Sequence, residues 1–442
     1  MRLRGMWSHW SGGVTITVAV AALCAGIGVT ASNAARSSPA RRKTPAANAE
    51  TAARRLARRQ AALATTVKYV PARGATNVSL DGPVLVSTTA GRLTGVEVAG
   101  ASGLPLAGTF ASSRHWWQSS SPLAPATDYR ITAFVTAPSG VTTRSTSTFR
   151  TLAPAGFVGA TLFPGDAMTV GVAQPVVIRF NHVINSDGAR AAVLAHLTVT
   201  ESRPVAGGWH WFSATELHFR PTAYWPVGEK ITVASDLDGW NAGDGLWGEG
   251  HHSVQFTIGD THVAVANLAT DQMTVSNNGR VIATYPFSGG RPMYPTMNGL
   301  HIVLDRQSVV RMVSSTNGIP VNSPDGYDEL VYDDVHISDS GEYVHAAPWS
   351  VSSQGRINVS HGCINLSPAD AAAFFAFSRV GDLIQVVGGP RPAELGDHGV
   401  MDWGSDWTQW TPAVVQPAVA PRANPKPKAT APPSSADRHA RA

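Results

Sequence analysis

Cysteine is almost missing from this chain: 442 residues contain two, Cys24 and Cys363. Cys24 lies inside an N-terminal apolar run, so everything beyond that run has one thiol and no disulfide partner. Its stability must therefore come from buried core rather than cross-links. Lysine is also scarce, with five residues at positions 43, 68, 230, 426 and 428. None of them stands three residues after a serine, which argues against the serine–lysine acyl-transfer arrangement of penicillin-binding proteins. No H-E-x-x-H or comparable histidine pair is present, which disfavours a zinc peptidase, and no metal or cofactor is expected. Charged residues make up only 14% of the chain, whereas Gly (42) and Pro (30) are plentiful. That balance suits short strands joined by turns better than long surface helices.

The net charge of +4 and isoelectric point near 9.2 raise the question of nucleic acid. Residues 1–60 carry ten Lys/Arg against Glu50 alone, while residues 260–388 carry six Arg and no Lys against twelve Asp/Glu. The basic character belongs to the N-terminal stem and the candidate working domain is acidic, so nucleic-acid binding is excluded. The long apolar run is Val14–Ala31, preceded by Arg2 and Arg4 and followed by the small residues Ser32-Asn33-Ala34. Residues 1–34 thus read as a signal peptide or a single-span membrane anchor, implying export to the cell envelope or wall with membrane contact only through this segment. Leu23 before Cys24 does not fit a lipid-modified terminus, and basic residues after the run sit awkwardly with an anchor. Residues 35–66, rich in Ala and Arg, read as a disordered stem with a short helix around Ala52–Leu63.

Residues 67–153 and 154–259 show period-two alternation broken by Gly and Pro, as in TDYRITAFVTAPSG and EKITVASD. The two stretches end alike, which predicts two immunoglobulin-like β-sandwich modules. Neither assembles a reactive site. His251-His252 and the aromatics of GWHWF read as surface loop and core, because no third metal ligand is well placed.

Residues 260–388 are again β-rich, with Asn277-Asn278-Gly279 as a hairpin turn. Cys363 sits in VSHGCINLS (359–367), read as a loop just before a helix. Ser367 would be the N-cap, Pro368 the first helical residue and Asp370 the third, with an apolar helix over Ala371–Val380. A buried cysteine is more often a small hydrophobe. Here, however, His361 lies two residues away and His345 ends the strand-like GEYVH, 18 residues upstream. A thiol nucleophile needs an imidazole within hydrogen-bond reach, and that imidazole needs an acceptor on its other nitrogen. Spacing alone does not choose between His361 and His345.

The segment His345-Ala346-Ala347-Pro348-Trp349-Ser350, followed by Ser360-His361-Gly362-Cys363-Ile364-Asn365-Leu366-Ser367, resembles the L,D-transpeptidase family with its YkuD-type catalytic domain. Within that family it is similar to multi-domain mycobacterial and actinobacterial members that carry immunoglobulin-like modules; SSTNGIPVNSPDGY (314–327) shares the likeness. The resemblance implies a mainly β catalytic domain over 260–388 with a short helix after the Cys motif. It implies a peptidoglycan L,D-transpeptidase in cell-wall biogenesis that forms 3→3 cross-links through a thioester on Cys363. A tetrapeptide stem would be the donor and the amine of a neighbouring stem the acceptor. His345 would be the base, oriented by the carbonyl of Ala346, and amides around His361, Gly362 and Cys363 would hold the oxyanion. Tyr327, Met312, Trp349, Ser350, Ser360 and Asn365 would form the substrate site, and carbapenem-type β-lactams would acylate the thiol. Two departures stand out: Ala346 where close relatives often have Ser, and Asn365 where many members have Arg. Two other readings remain, an L,D-carboxypeptidase or other cysteine peptidase, and a non-enzymatic wall-binding protein.

Residues 389–411 place Trp403, Trp407 and Trp410 at the spacing of one helical face, and similar proteins pack such a segment back onto the folded body. Residues 412–442 read as a disordered Pro/Ala-rich tail.

Overall fold

The structure is a computed structural model that describes residues 49–56, 66–100, 103–410 and 415–416. The chain divides into two compact units, Met1–Gln60 and Ala61–Ala442. In the first, residues 49–56 form a helix with an exposed Arg54–Glu50 pair at 2.8 Å. The apolar run of 14–31, the rest of the stem expected to be helical and most of the C-terminal tail lie outside the described residues.

The second unit is built of strands. In the first module one sheet runs, in spatial order, Val67–Val70, Leu85–Thr88, Trp116–Ser119, Gly108–Phe110; the other runs Ala75–Val78, Thr142–Thr151, Asp128–Thr136, Arg92–Ala99. Val86, Leu93, Trp117, Ile131, Val135 and Phe149 fill the space between them. The second module repeats the plan. Ala160–Phe163, Val176–Phe180, Glu216–Pro221 and Gly207–Trp211 form one sheet; Thr169–Val170, His251–Ile258, Lys230–Asp236 and Leu197–Glu201 form the other. Lys230–Asp236 shows the physical basis: Ile231, Val233 and Ser235 are buried while their neighbours face outward, the alternation that a half-buried strand requires. His251 and His252 begin a strand, exposed, rather than lying in a loop. They pair in register with Asp236 and Ser235.

The catalytic-candidate region has two sheets. The first orders Arg280–Pro286, Gln272–Asn277, His262–Asn267, Leu383–Val387, Gly299–Ile302; the second orders Asp305–Val313, Asp328–Ser338, Glu342–Ala346, Ile364–Leu366. Asn278 and Gly279 take φ of 49° and 79°, the left-handed pair that closes a tight hairpin. The helix Pro368–Phe377 begins as its sequence predicts, with Ser367 accepting from the Asp370 N–H and proline in the first turn. It stops three residues earlier than expected, at Phe377, where Ser378 turns extended. Ala371 and Phe374 bury against Val344, Ala346, Ile364 and Leu366, so the helix backs the strands that carry the Cys motif.

Ile302 and Leu383 belong to the same buried cluster as Val172, Ile231 and Phe256, so the second module and the catalytic-candidate region share one apolar core. A Cβ on Gly171 would stand 2.3 Å from the Gly381 carbonyl oxygen, a contact that only glycine allows.

The tryptophans of the C-terminal segment do not share one helix. A helix spans His398–Gly404, Ser405 is extended, and a further turn covers Trp407–Trp410. The three rings instead surround the guanidinium of Arg220, at 4.6, 5.1 and 4.8 Å from Trp403, Trp407 and Trp410. Trp403 Nε1–H donates to the Ala173 carbonyl at 2.7 Å, and Trp410 Nε1–H to Gly208 at 3.1 Å. Where the tail was expected to be structureless, Val415 and Gln416 add a short strand beside Gly207 and Gly208.

Candidate active site

Cys363 does not lead straight into the helix. Ile364-Asn365-Leu366 first forms a short strand parallel to Val344–Ala346, with His345 opposite Asn365. The hydrophobic Ile364 and Leu366 recruit this strand into the core, which a reading as loop did not anticipate. Because residues two apart share a face, His345, Cys363 and Asn365 emerge together on the side away from that core. They line one cavity of about 230 Å³ with Met312, Tyr327, Trp349, Ser360 and His361, and with Glu329, Val331 and Val359. Most of the seventeen residues between the histidine and the thiol are therefore looped out, and the parallel register closes the gap.

His345 is buried, and its Nδ1–H donates to the Ala346 carbonyl at 3.0 Å. That bond places the ring proton on Nδ1 and leaves Nε2 with a free lone pair. Burial pushes its pKa down to about 4, so the imidazole is neutral at ordinary pH. The Cys363 thiol donates to the Gly341 carbonyl at 3.7 Å. Burial pushes this thiol up to about 12; the Tyr343 backbone N–H pulls it the other way, and the carboxylates of Glu342 and Asp334 add to the rise. The resting pair is thus an uncharged thiol and an uncharged imidazole.

His361 is held differently. Its Nε2 accepts from Arg291 Nη2 at 2.8 Å, and Arg291 is paired with Asp325 at 2.6 Å. Tyr294 and Tyr327 each stand 5.0 Å from its ring. Burial, and next the Arg291 charge, lower its pKa. With Nε2 engaged by a guanidinium, this ring has no free lone pair to take a thiol proton.

The turn itself is clamped. Ser360 Oγ donates to the Cys363 carbonyl at 2.6 Å and accepts from the Gly362 N–H at 3.1 Å. Thr296 Oγ1 donates to the Gly362 carbonyl at 2.7 Å. Of the three amides expected around an oxyanion, that of Gly362 is therefore taken. Gly362 has φ of 126°, a conformation that favours glycine, and a Cβ there would also crowd Glu342 Oε1 at 3.3 Å. Asn365 Nδ2 donates to Ser350 Oγ at 3.3 Å, while its Oδ1 is buried without a partner.

Ser350 differs from the expectation of substrate contact. It is 2% exposed and bonded to Ala347, Gln354 and Asn365, behind the cavity wall. Trp349 is half exposed, its ring 6.1 Å from that of His345. Arg291, Tyr294, Thr296 and Asp325 were not singled out in the sequence; they stand far from the motif and carry no local signature.

A family model for a bacterial Ig domain matches residues 75–241, and one for the L,D-transpeptidase catalytic domain matches residues 261–386. L,D-transpeptidase 2 of Mycobacterium tuberculosis (strain CDC 1551 / Oshkosh) is 38% identical over 340 residues, covering 76% of this chain and 82% of its own length. L,D-transpeptidase 5 of Mycobacterium tuberculosis (strain ATCC 25618 / H37Rv) is 30% identical over 384 residues, 84% of this chain and 82% of its own. A solved structure of LdtMt1 in complex with imipenem is 37% identical over 52% of this chain and 99% of its own, with a TM-score of 0.46. By its sequence and its two matched domains, the chain belongs to the L,D-transpeptidase family.

Proposed function

We propose that the chain cross-links peptidoglycan stem peptides, 3→3, through a thioester on Cys363. The observation that carries this reading is the division of labour between the histidines: His345 has Nε2 free and Nδ1 held by Ala346, whereas His361 spends its Nε2 on Arg291. His345 Nε2 takes the thiol proton as Sγ attacks the carbonyl of the third stem residue. The peptide bond to the terminal D-alanine breaks, and its amine leaves with that proton. The acceptor amine then attacks the thioester, gives its proton to His345, and restores the thiol. With thiol and imidazole both uncharged at rest, the proton would move to His345 together with Sγ–carbonyl bond formation rather than before it.

Asn365 Oδ1, buried and unpaired at the cavity, would accept an N–H of the donor backbone. Tyr327, Met312 and Trp349 supply the apolar wall, and Glu329 at the wall attracts a cationic acceptor. The amides of His361 and Cys363, with that of Gly362 already bonded to Ser360, would bind the oxyanion. The catalytic face would work outside the membrane, in the cell envelope, if residues 1–34 direct export. A carbapenem-type β-lactam would acylate the same thiol. The test is intact-mass analysis after carbapenem treatment. Cys363→Ala is expected to give no adduct, and His345→Ala to form it more than about 100-fold more slowly. An adduct at full rate on Cys363→Ala would overturn the assignment.

A further inference from the structure

A second set of titratable side chains converges in a cavity that shares no lining residue with that of Cys363. Between the second module and the catalytic domain lies a cavity of about 450 Å³ whose wall includes Arg179, Glu216, His218, His398 and Asp402. We propose that Glu216, His218 and His398 form a binding site for a divalent transition-metal ion of the zinc class, tying the second module to the segment that follows the catalytic domain.

Glu216 and His218 stand two apart on the strand Glu216–Pro221 and so share a face. His398 comes from the first turn of the helix His398–Gly404. One donor atom from each of the three lies within 4.8 Å of the others. His218 Nε2 is 2.8 Å from Glu216 Oε1, and His398 Nε2 approaches that same oxygen at 3.2 Å. The His398 nitrogen is buried yet makes no well-aligned hydrogen bond.

The outer groups fit as well. His218 Nδ1 is held by Asp402 at 2.8 Å and His398 Nδ1 by Asp339, so each ring turns its Nε2 inward. A carboxylate behind each ligating histidine is the usual support of a metal-bound imidazole. Phe212 stacks on both rings, at 5.4 Å from His218 and 3.7 Å from His398, and so sets their planes. Arg179 Nε donates to Glu216 Oε2 at 3.0 Å, and its Nη2 reaches Oε1 at 3.1 Å. The guanidinium thus fixes the carboxylate through both oxygens, with Oε1 the one that both imidazoles approach. Two imidazoles and one carboxylate make a zinc donor set with an open fourth position, which the adjoining cavity leaves room for water to fill. Sequence reading passed over the site because its ligands are separated by the whole catalytic domain.

The test uses the full chain carrying Cys24→Ala and Cys363→Ala, so that no thiol can bind metal, freed of metal by chelator and titrated with Zn²⁺ and Co²⁺. One equivalent of Zn²⁺ should bind and raise the melting temperature. Co²⁺ should show visible d–d absorption without a sulfur charge-transfer band. His398→Ala should weaken binding by at least about 100-fold, and Asp402→Asn by about 10- to 100-fold. His251→Ala with His252→Ala, which removes the exposed pair, should leave the affinity unchanged. No binding by the folded protein, or an affinity indifferent to His398→Ala, would overturn the proposal and leave the cluster an ion-paired network alone.

Discussion

Alkylation of Cys363 as a function of pH tests the resting state of the site. If the thiol titrates near 12, the thiolate fraction at pH 7.5 is about 3,000-fold below that of an ordinary cysteine at about 8.5. A more basic thiolate is a better nucleophile, by about 40-fold for a gap of this size, so the net rate is about 100-fold slower. The assay is the second-order rate of iodoacetamide inactivation from pH 6 to 10, with free cysteine as reference. The logarithm of the rate should climb by about one for each pH unit across that range, with no plateau. Steric shielding lowers the whole curve and leaves its slope alone, which makes the slope the decisive quantity. A plateau below pH 8 would show a preformed thiolate–imidazolium pair and refute the uncharged resting state.

Three further outcomes are expected. Ser360→Ala removes the clamp on the Cys363 carbonyl and the Gly362 amide; kcat should fall about 10- to 100-fold while stability drops by only about 1 kcal/mol, read by steady-state kinetics and thermal melts. Asp334 is 1% exposed with both carboxylate oxygens unpartnered, and burial, then Asp333, pushes its pKa up to about 7. A raised folded-state pKa adds stability below the unfolded value, near 4, that is lost as pH rises through 7. The wild type should therefore lose at least about 1 kcal/mol more than Asp334→Asn between pH 4 and 8, roughly 2–4 °C in Tm; parallel curves would contradict this. Trp410→Ala empties a fully buried site against Gly208 and His210 and should cost about 3–5 kcal/mol, measured by denaturant unfolding.

Much of this architecture is legible in the sequence because its signals are local. The alternation in EKITVASD, the Asn-Asn-Gly turn and the Ser-Pro-Ala-Asp helix start each act within a few residues, and the structure uses them as written. The pairing of His345 with the Cys363 segment was only plausible from spacing. It depends on a parallel register that the apolar Ile364 and Leu366 create by joining the core. The support of His361 was not legible, since Arg291 and Asp325 reach it across tens of residues. The tryptophan spacing of a helical face misled for a related reason. Ser405 breaks the helix, and the rings are gathered by Arg220, a residue of another module.

The central claim is the transfer of an acyl group from Cys363 to an amine. Its most direct test is intact-protein mass spectrometry of the chain incubated with a tetrapeptide stem, with and without an acceptor stem. The account predicts a tripeptidyl adduct on Cys363 that disappears as cross-linked dimer forms. An adduct released only to water would point to a carboxypeptidase, and the absence of any adduct would contradict the catalytic reading altogether.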